Sequence, residues 1–393
     1  MEEVDILVVG GGVAGLAATA VLAGAGRQVL CIDAAPREAG AKDGRTTAFL
    51  RPAVDLLTEA GVWSRLEGAT AALDTMRLID AGGAENEARE IADFHAAEIA
   101  EPPFGWNVAN RDMRRALAAQ CEATPDAEVA FGVSLEALTP RRSHQIARLS
   151  NGRIIRARLV VGADGRGSAV RGFAGIGAKR TGYGQKALVF TVSHDEPHWN
   201  VSTEIHRTGG PFTLVPMPDA DDGPRSSVVW MERAAEAMRL AALPDGAFNQ
   251  ALNERSLDVL GPLRVASPRA AWPIISLIAH RLTAPRIALV AEAAHVVPPI
   301  GAQGLNMSLA DIAALKDGLG DDPGAAASLA LYQRRWPELA ARVAGIDALN
   351  RAAMAGAQPI RDLRRAGLGL IARARPVRHT AMRMGLGVKD TAS

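Results

Sequence analysis

Cysteine is scarce in this chain of 393 residues, with Cys31 and Cys121 the only two. Cys31 lies in an apolar run and Cys121 in a helical one. No CxxC pair or disulfide framework can be written, so both read as reduced core residues of a protein in a reducing cytoplasm. Net charge is lacking too. A formal +1 from 44 basic and 43 acidic residues excludes the basic stripe of a nucleic-acid binder. Internal repeats and low-complexity linkers are absent. The one long uncharged run, Ile6 to Gly26, lacks the basic flank of a secretion signal, because Glu2, Glu3 and Asp5 stand in front of it. Its glycine triplet and closing Gly-Ala-Gly suit a turn and a helix stop better than a bilayer span. What remains is an ordinary globular composition, long enough for two domains or one large two-part fold.

VDILVVGGGVAGLAATAVLAGAGRQVLCIDAAP reads as strand, tight turn, helix, glycine stop and strand. This is one βαβ unit. Gly10-x-Gly12-x-x-Gly15 follows the strand and opens the helix. Its glycines let the backbone approach a pyrophosphate at the positive helix end. Asp33 closes the next strand, where a carboxylate can accept ribose hydroxyls. The pattern points to a dinucleotide without separating NAD from FAD.

Downstream, the stretch from about Pro52 to Leu66 reads as helical, and FGWNVANRDMRRALAAQC starts extended and turns helical. Residues 179–279 change character: ALVFTVSH, STEIHR, FTLVPMP and SSVVWME alternate between turns, and one helix follows around Gly246 to Leu260. This is the signature of an inserted antiparallel sheet. RIALVAEAAH returns to a buried strand, and the rest is helical.

Two more places can meet the same ligand. LVVGADGRGSAVR ends a strand in Asp164-Gly165, which taken alone is a simple turn. In ALVAEAAHVVPPIGAQGLN a strand hands over to Glu292, then Pro298 and Pro299. Gly301 and Gly304 leave backbone N–H groups free, and a helix from about Leu305 presents its positive end.

These three segments, in this order, resemble the dinucleotide, DG and GD motifs of FAD-dependent aromatic hydroxylases, the single-component flavoprotein monooxygenases. More narrowly the chain resembles the ubiquinone-biosynthesis hydroxylases. DGRTTAFL, FGWNVAN, HDEPHWN, TEIHRTGGPFTLVPMP, PPIGAQGLN and RDLRRAGLGLIARARPVRHTAMRMGLG carry the likeness over nearly the full chain. The fold implied is α/β. A Rossmann-like FAD-binding domain (1–73, 96–178, 280–340) carries an inserted, mainly antiparallel substrate domain (74–95, 179–279) and a C-terminal helical region (341–393).

The resemblance also implies roles. Gly10, Gly12, Ala14 and Gly15 would hold the FAD pyrophosphate, and Asp33 the adenosine ribose. Arg45 would lie beside the cofactor, Asn110 near the ribityl chain or phosphates, and Val133 near the adenine. Asp164 would serve FAD and the nicotinamide donor. Gly301, Gly304, Leu305 and Asn306 would cradle the isoalloxazine. Where the family has Gly-Asp, this chain has Ala291-Glu292, a carboxylate one methylene longer and an extra Cβ. That Cβ costs about 1 kcal/mol if the position needs positive φ.

The implied reaction is hydroxylation of an aromatic ring. NAD(P)H reduces FAD, O2 adds at C4a, and the hydroperoxide delivers one oxygen to a lipophilic phenol or quinone precursor. The cofactor carries this chemistry, so neither a catalytic triad nor a metal is expected. Leu214, Pro216, Trp230, Pro299 and Ile300 are pocket candidates. His295 is a pocket or structural histidine, and Pro197 breaks any metal pairing of His194 with His198. The tail is basic and amphipathic, from Arg351 through Arg361, Arg364, Arg365, Arg373, Arg375, Arg378 and Arg383 to Lys389, against Asp362 and Asp390. It reads equally as helices packed on the FAD domain or as a peripheral contact with the cytoplasmic face of a membrane. Other ubiquinone-biosynthesis proteins are further candidate partners. Two rival readings are a hydroxylase of a soluble aromatic and a non-catalytic flavin-fold subunit.

Overall fold

The uncharged N-terminal run folds as strand Glu2–Val9, helix Val13–Gly24 and strand Val29–Asp33. In the computed structural model, which describes residues 1–41, 43–82, 87–221 and 223–386, these build the centre of an eight-stranded sheet. Its parallel core runs Ile287–Leu289, Ile154–Gly162, Glu2–Val9, Val29–Asp33 and Ala127–Phe131. Ile6, Leu7 and Val8 are wholly buried, because helices cover both faces of such a sheet and every position along the strand must be apolar. Cys31 and Cys121 are free and buried here, and burial pushes both thiols up to about 12.

A second sheet of nine strands gathers Thr75–Asp80, Glu90–His95 and His295–Val296 with the six strands between Ala178 and Ala279. Its pairs are antiparallel except that Thr75–Asp80 runs parallel to Val201–Arg207. One face of it packs Ile205, Phe212, Leu214 and Trp230 against Phe248 and Leu252. The helix carrying those last two is Asp245–Ser256. A further helix, Ala234–Ala241, precedes it, and Pro244 separates the two. A third, small sheet of Thr46–Leu50, Gly105–Ala109 and Thr70–Leu73 lies between these layers in sequence.

After the parallel strand Ile287–Leu289 the chain makes a single helical turn, Ala291–Ala293. It then pairs His295–Val296 with Leu277–Ile278 at the edge of the second sheet. Helix Gln303–Gly318 follows, then four more helices ending with Gln358–Arg373 and Arg375–Leu386. Leu368 and Met382 of the last two pack on Ala92 and Phe94. Arg89–Asp362 and Arg378–Glu98 tie the same helices down. Lys389, Asp390 and the side chain of Arg364 lie outside the described residues. Among the described residues no helix is long and apolar enough to cross a membrane.

Candidate active site

A cavity of about 1110 Å³ opens where the two large sheets meet. Its floor is the glycine turn. Gly10 has φ +110°, and a Cβ there would run into the backbone of Ala163; one on Gly15 would run into the Gly10 carbonyl. Both glycines are therefore required for packing. Gly12 differs, since a Cβ there would meet nothing within 4 Å, and it faces the cavity with Val13 and Ala14. Gly12 caps helix Val13–Gly24 without a side-chain acceptor, and no acidic residue sits in the first turn. The positive helix end is thus left for a ligand anion, which fits a pyrophosphate.

The opposite wall comes from the Glu292 segment. Ala291 has φ +55° and Ala302 φ +56°, the left-handed region that favours glycine, so the chain holds two strained alanines beside one cavity. The strand stops at Leu289, short of Glu292. Glu292 is exposed, but its exposure is toward the cavity, which it lines with Pro299, Gly301, Gly304 and Leu305. Helix Gln303–Gly318 begins two residues before Leu305, again without a side-chain cap or an acid in its first turn. Asn306 braces this wall: its Nδ2 donates to Ala48 O at 2.8 Å, and its Oδ1 accepts from Leu50 N at 2.9 Å.

A buried charge cluster holds the turn. Asp311 is wholly buried. Its Oδ2 lies 2.6 Å from His295 Nε2 and accepts from Ala291 N at 3.3 Å, while Oδ1 accepts from Arg335 Nε at 2.7 Å. Burial pushes the Asp311 carboxyl up, but the His295 and Arg335 charges outweigh it and hold it below the ordinary carboxylate range. His295 lines the cavity with its Nε2 paired to Asp311. Nearer the opening, Arg45 donates to Asp43 at 2.7 and 2.8 Å and stacks 4.6 Å from the Trp272 ring centre. Hydrogen bonding to Asp43 and the Glu292 charge raise the Arg45 guanidinium above its ordinary value.

The cavity brings together Gly12, Ala14, Arg45, Asn110, Glu292, His295, Pro299, Gly301, Gly304 and Leu305. Others stand aside. The Asp33 carboxylate accepts from Gly11 N at 2.6 Å and Ala35 N at 2.7 Å. Asp164 accepts from Ser168 Oγ at 2.5 Å and Val170 N at 3.1 Å, which is the simple turn role, while its neighbours Ala163, Gly165 and Arg166 line the cavity. Val133 is buried with its N–H given to Asp33 O at 2.8 Å. The pocket candidates need correction. Ile300 packs with Ala187, Val189 and Ile274. Leu214 and Trp230 point to the far side of their sheet, and Pro216 is buried off the lining. Thr213, Val215 and Val229, one position away, face the cavity instead. Arg114 was missed by sequence reasoning. It lines the floor and donates from Nε to Gly11 O at 3.1 Å. Among the described residues no group of three or more His, Cys, Asp or Glu could hold a metal ion.

The sequence pattern of the FAD binding domain family matches residues 3–333. The chain belongs to that family. Over 98% of its length it is 37% identical to the ubiquinone hydroxylase UbiL of Rhodospirillum rubrum, covering 89% of that protein. It is 30% identical to the 3-demethoxyubiquinol 3-hydroxylase of Escherichia coli, covering 98% of this chain and 99% of the relative. The fold matches that of Pseudomonas aeruginosa PqsL in complex with 2-aminobenzoylacetate, with TM-score 0.78, 24% identity, and 93% and 99% of the two chains covered. It also matches p-nitrophenol 4-monooxygenase PnpA of Pseudomonas putida, with TM-score 0.79, 18% identity, and 98% and 99% covered. The protein is an FAD-dependent monooxygenase of the hydroxylase type, and NAD(P)H is the electron donor typical of its family. The open Gly12 side, two uncompensated helix ends and a cavity of this size accommodate FAD in this flavoprotein.

Proposed function

We propose that the chain hydroxylates the aromatic ring of a polyprenylated phenol or quinone precursor in ubiquinone biosynthesis, using NAD(P)H and O2. One observation carries this reading. Beyond the glycine turn the cavity becomes an apolar chamber under the second sheet, lined by Met76, Leu78, Phe94 and Val215 and ending at Ile371 and Met382 of the C-terminal helices. Such a chamber suits a ring with a hydrocarbon substituent, and the names of the two relatives above support it.

Bound FAD supplies electron transfer and oxygen activation. On this reading the protein binds, orients and excludes water. The helix end at Gly12 holds the pyrophosphate, and the Asp33 and Asp164 turns fix the backbone around it. Glu292 accepts a ribityl hydroxyl. The backbone N–H groups after Gly301 would face the flavin ring and offset negative charge there. The test starts with the visible spectrum of the purified protein with FAD, bleached by NAD(P)H. Mass spectrometry then looks for addition of one oxygen atom to a prenylated phenol. A colourless protein in saturating FAD, or turnover confined to soluble phenols, defeats this reading.

We also infer that the last two helices rest on the cytoplasmic face of an anionic membrane. Leu363 and Leu370 are 72% and 61% exposed and lie among arginines, while the chamber ends just beneath the same helices. Sedimentation with anionic vesicles, weakened by Leu363→Glu with Leu370→Glu, is the expected result; equal binding to neutral vesicles overturns it.

A further inference from the structure

We propose that Glu204 is the acceptor of the ring hydroxyl of the substrate and takes its proton during oxygen transfer. The proposal rests on the reading above that the substrate is a hydroxylated ring. Strand Val201–Arg207 alternates: Ile205 points into the apolar layer under helix Asp245–Ser256, while Ser202 and Glu204 face the cavity. Glu204 is only 3% exposed, yet it lines a chamber whose neighbouring walls are Met76, Leu78, Val215 and Val229.

A carboxylate removed from water among apolar side chains is costly unless it is partnered. Here His206 Nε2 lies 2.8 Å from Glu204 Oε1, and no other donor among the described residues meets that carboxylate. The opposite ring nitrogen of His206, Nδ1, is buried with no hydrogen-bond partner among the described residues. Thr213 is the cross-strand neighbour of Glu204 and lines the cavity beside it. An apolar chamber with one buried, under-partnered carboxylate and two hydroxyls is built to receive a polar group on an otherwise apolar guest.

The chemistry follows from the charge. A ring attacked by an electrophilic oxygen reacts faster as it becomes richer in electrons. The ring O–H bond breaks, a Glu204 O–H bond forms, and the electron pair stays on the ring oxygen. His206, with a side chain 19% exposed, adjoins the carboxylate that has gained the proton.

Isothermal titration of the FAD-loaded enzyme with 2-prenylphenol and with its methyl ether tests this. The wild type binds the phenol at least about tenfold more tightly than the ether, the discrimination expected of a charged acceptor. Glu204→Ala brings that ratio below about threefold. Glu204→Gln still accepts the hydroxyl but takes no proton. It keeps most of the preference while the share of NAD(P)H oxidation that yields product falls about tenfold or more. No preference in the wild type, an unchanged preference in Glu204→Ala, or full coupling in Glu204→Gln each overturns the proposal. FAD content and ligand-free NAD(P)H oxidation, read on the same samples, report on the flavoenzyme reading separately.

Discussion

Asp311→Asn probes the core of the site without touching the cavity surface. The asparagine is nearly isosteric, so packing is kept while the charge and one of two acceptor oxygens are lost. Two charge-assisted contacts weaken, to His295 and to Arg335, and among the described residues Arg335 keeps Glu338 at 3.5 Å as its ionic partner. Breaking a buried pair by removing one charge costs about 3–5 kcal/mol. Because Arg335 retains that second partner, the lower end, about 3 kcal/mol, is expected. At about 2–4 °C per kcal/mol for a cooperative unit of 150–250 residues, the melting midpoint should fall by roughly 6–12 °C. FAD binding should weaken in the same variant, since the amide keeps one oxygen for the Ala291, His295 and Arg335 donors that two carboxylate oxygens served, and Glu292 follows Ala291. The assay is thermal unfolding of FAD-free protein, repeated in an Arg335→Leu background to isolate the pair. The sign with pH is fixed as well. Asp311 titrates below its unfolded value of about 3.9, so its stabilisation is complete above that value. The stabilisation is lost as pH falls through the lower folded value, and the gap between wild type and variant should close there. A midpoint within about 1 °C of wild type at pH 7, or a gap unchanged in acid, would refute the reasoning.

Gly12→Ala should leave the FAD-free fold within about 1 kcal/mol of wild type, because nothing lies within 4 Å of the new methyl; titration should show FAD affinity about tenfold weaker or worse, some 1.4 kcal/mol. Ala291→Gly relieves about 1–2 kcal/mol of left-handed strain. It loses about 0.8 for the buried methyl and about 0.4–1 through the unfolded chain. Its stability should therefore stay within about 1 kcal/mol of wild type, whereas Ala18→Gly in a buried helix, with no strain to relieve, costs about 2 kcal/mol. Equal losses at both positions in urea unfolding would remove the strain argument. Glu292→Ala should lower FAD affinity about tenfold, if its carboxylate takes a ribityl hydroxyl with the strength of a charged hydrogen bond.

The parallel sheet was legible because its strands must be apolar on both faces and its turn must be glycine. The second sheet was legible as a set of alternating strands, but not which side faces the cavity. Val215 and Leu214 are neighbours, as are Val229 and Trp230, and both faces of that sheet are covered. Apolar residues therefore occur at both parities, and the choice of Leu214 and Trp230 fell one residue off. Asp33 and Asp164 show a different gap: spacing identifies a carboxylate at a strand end, while only the folded loop decides that backbone N–H groups and Ser168 claim it. The pairing of His295 with Asp311 arises when helix Gln303–Gly318 returns past the turn, a tertiary event with no local signature. Glu204 did have one: a lone Glu-x-His on an alternating strand, which places two titratable groups on one face.

The two-residue strand His295–Val296 is the far edge of the second sheet and also the continuation of the Glu292 turn. The opposite edge of that sheet is supplied by residues 75–80 and 90–95. The sheet therefore borrows both borders from chain outside 178–279. Moving that segment between related hydroxylases to change ring preference would carry the chamber ceiling without its selvedges, exposing unpaired strand edges on both sides. Successful chimeras should have to exchange three separated pieces together, so that ring preference and the seating of FAD drift jointly across relatives.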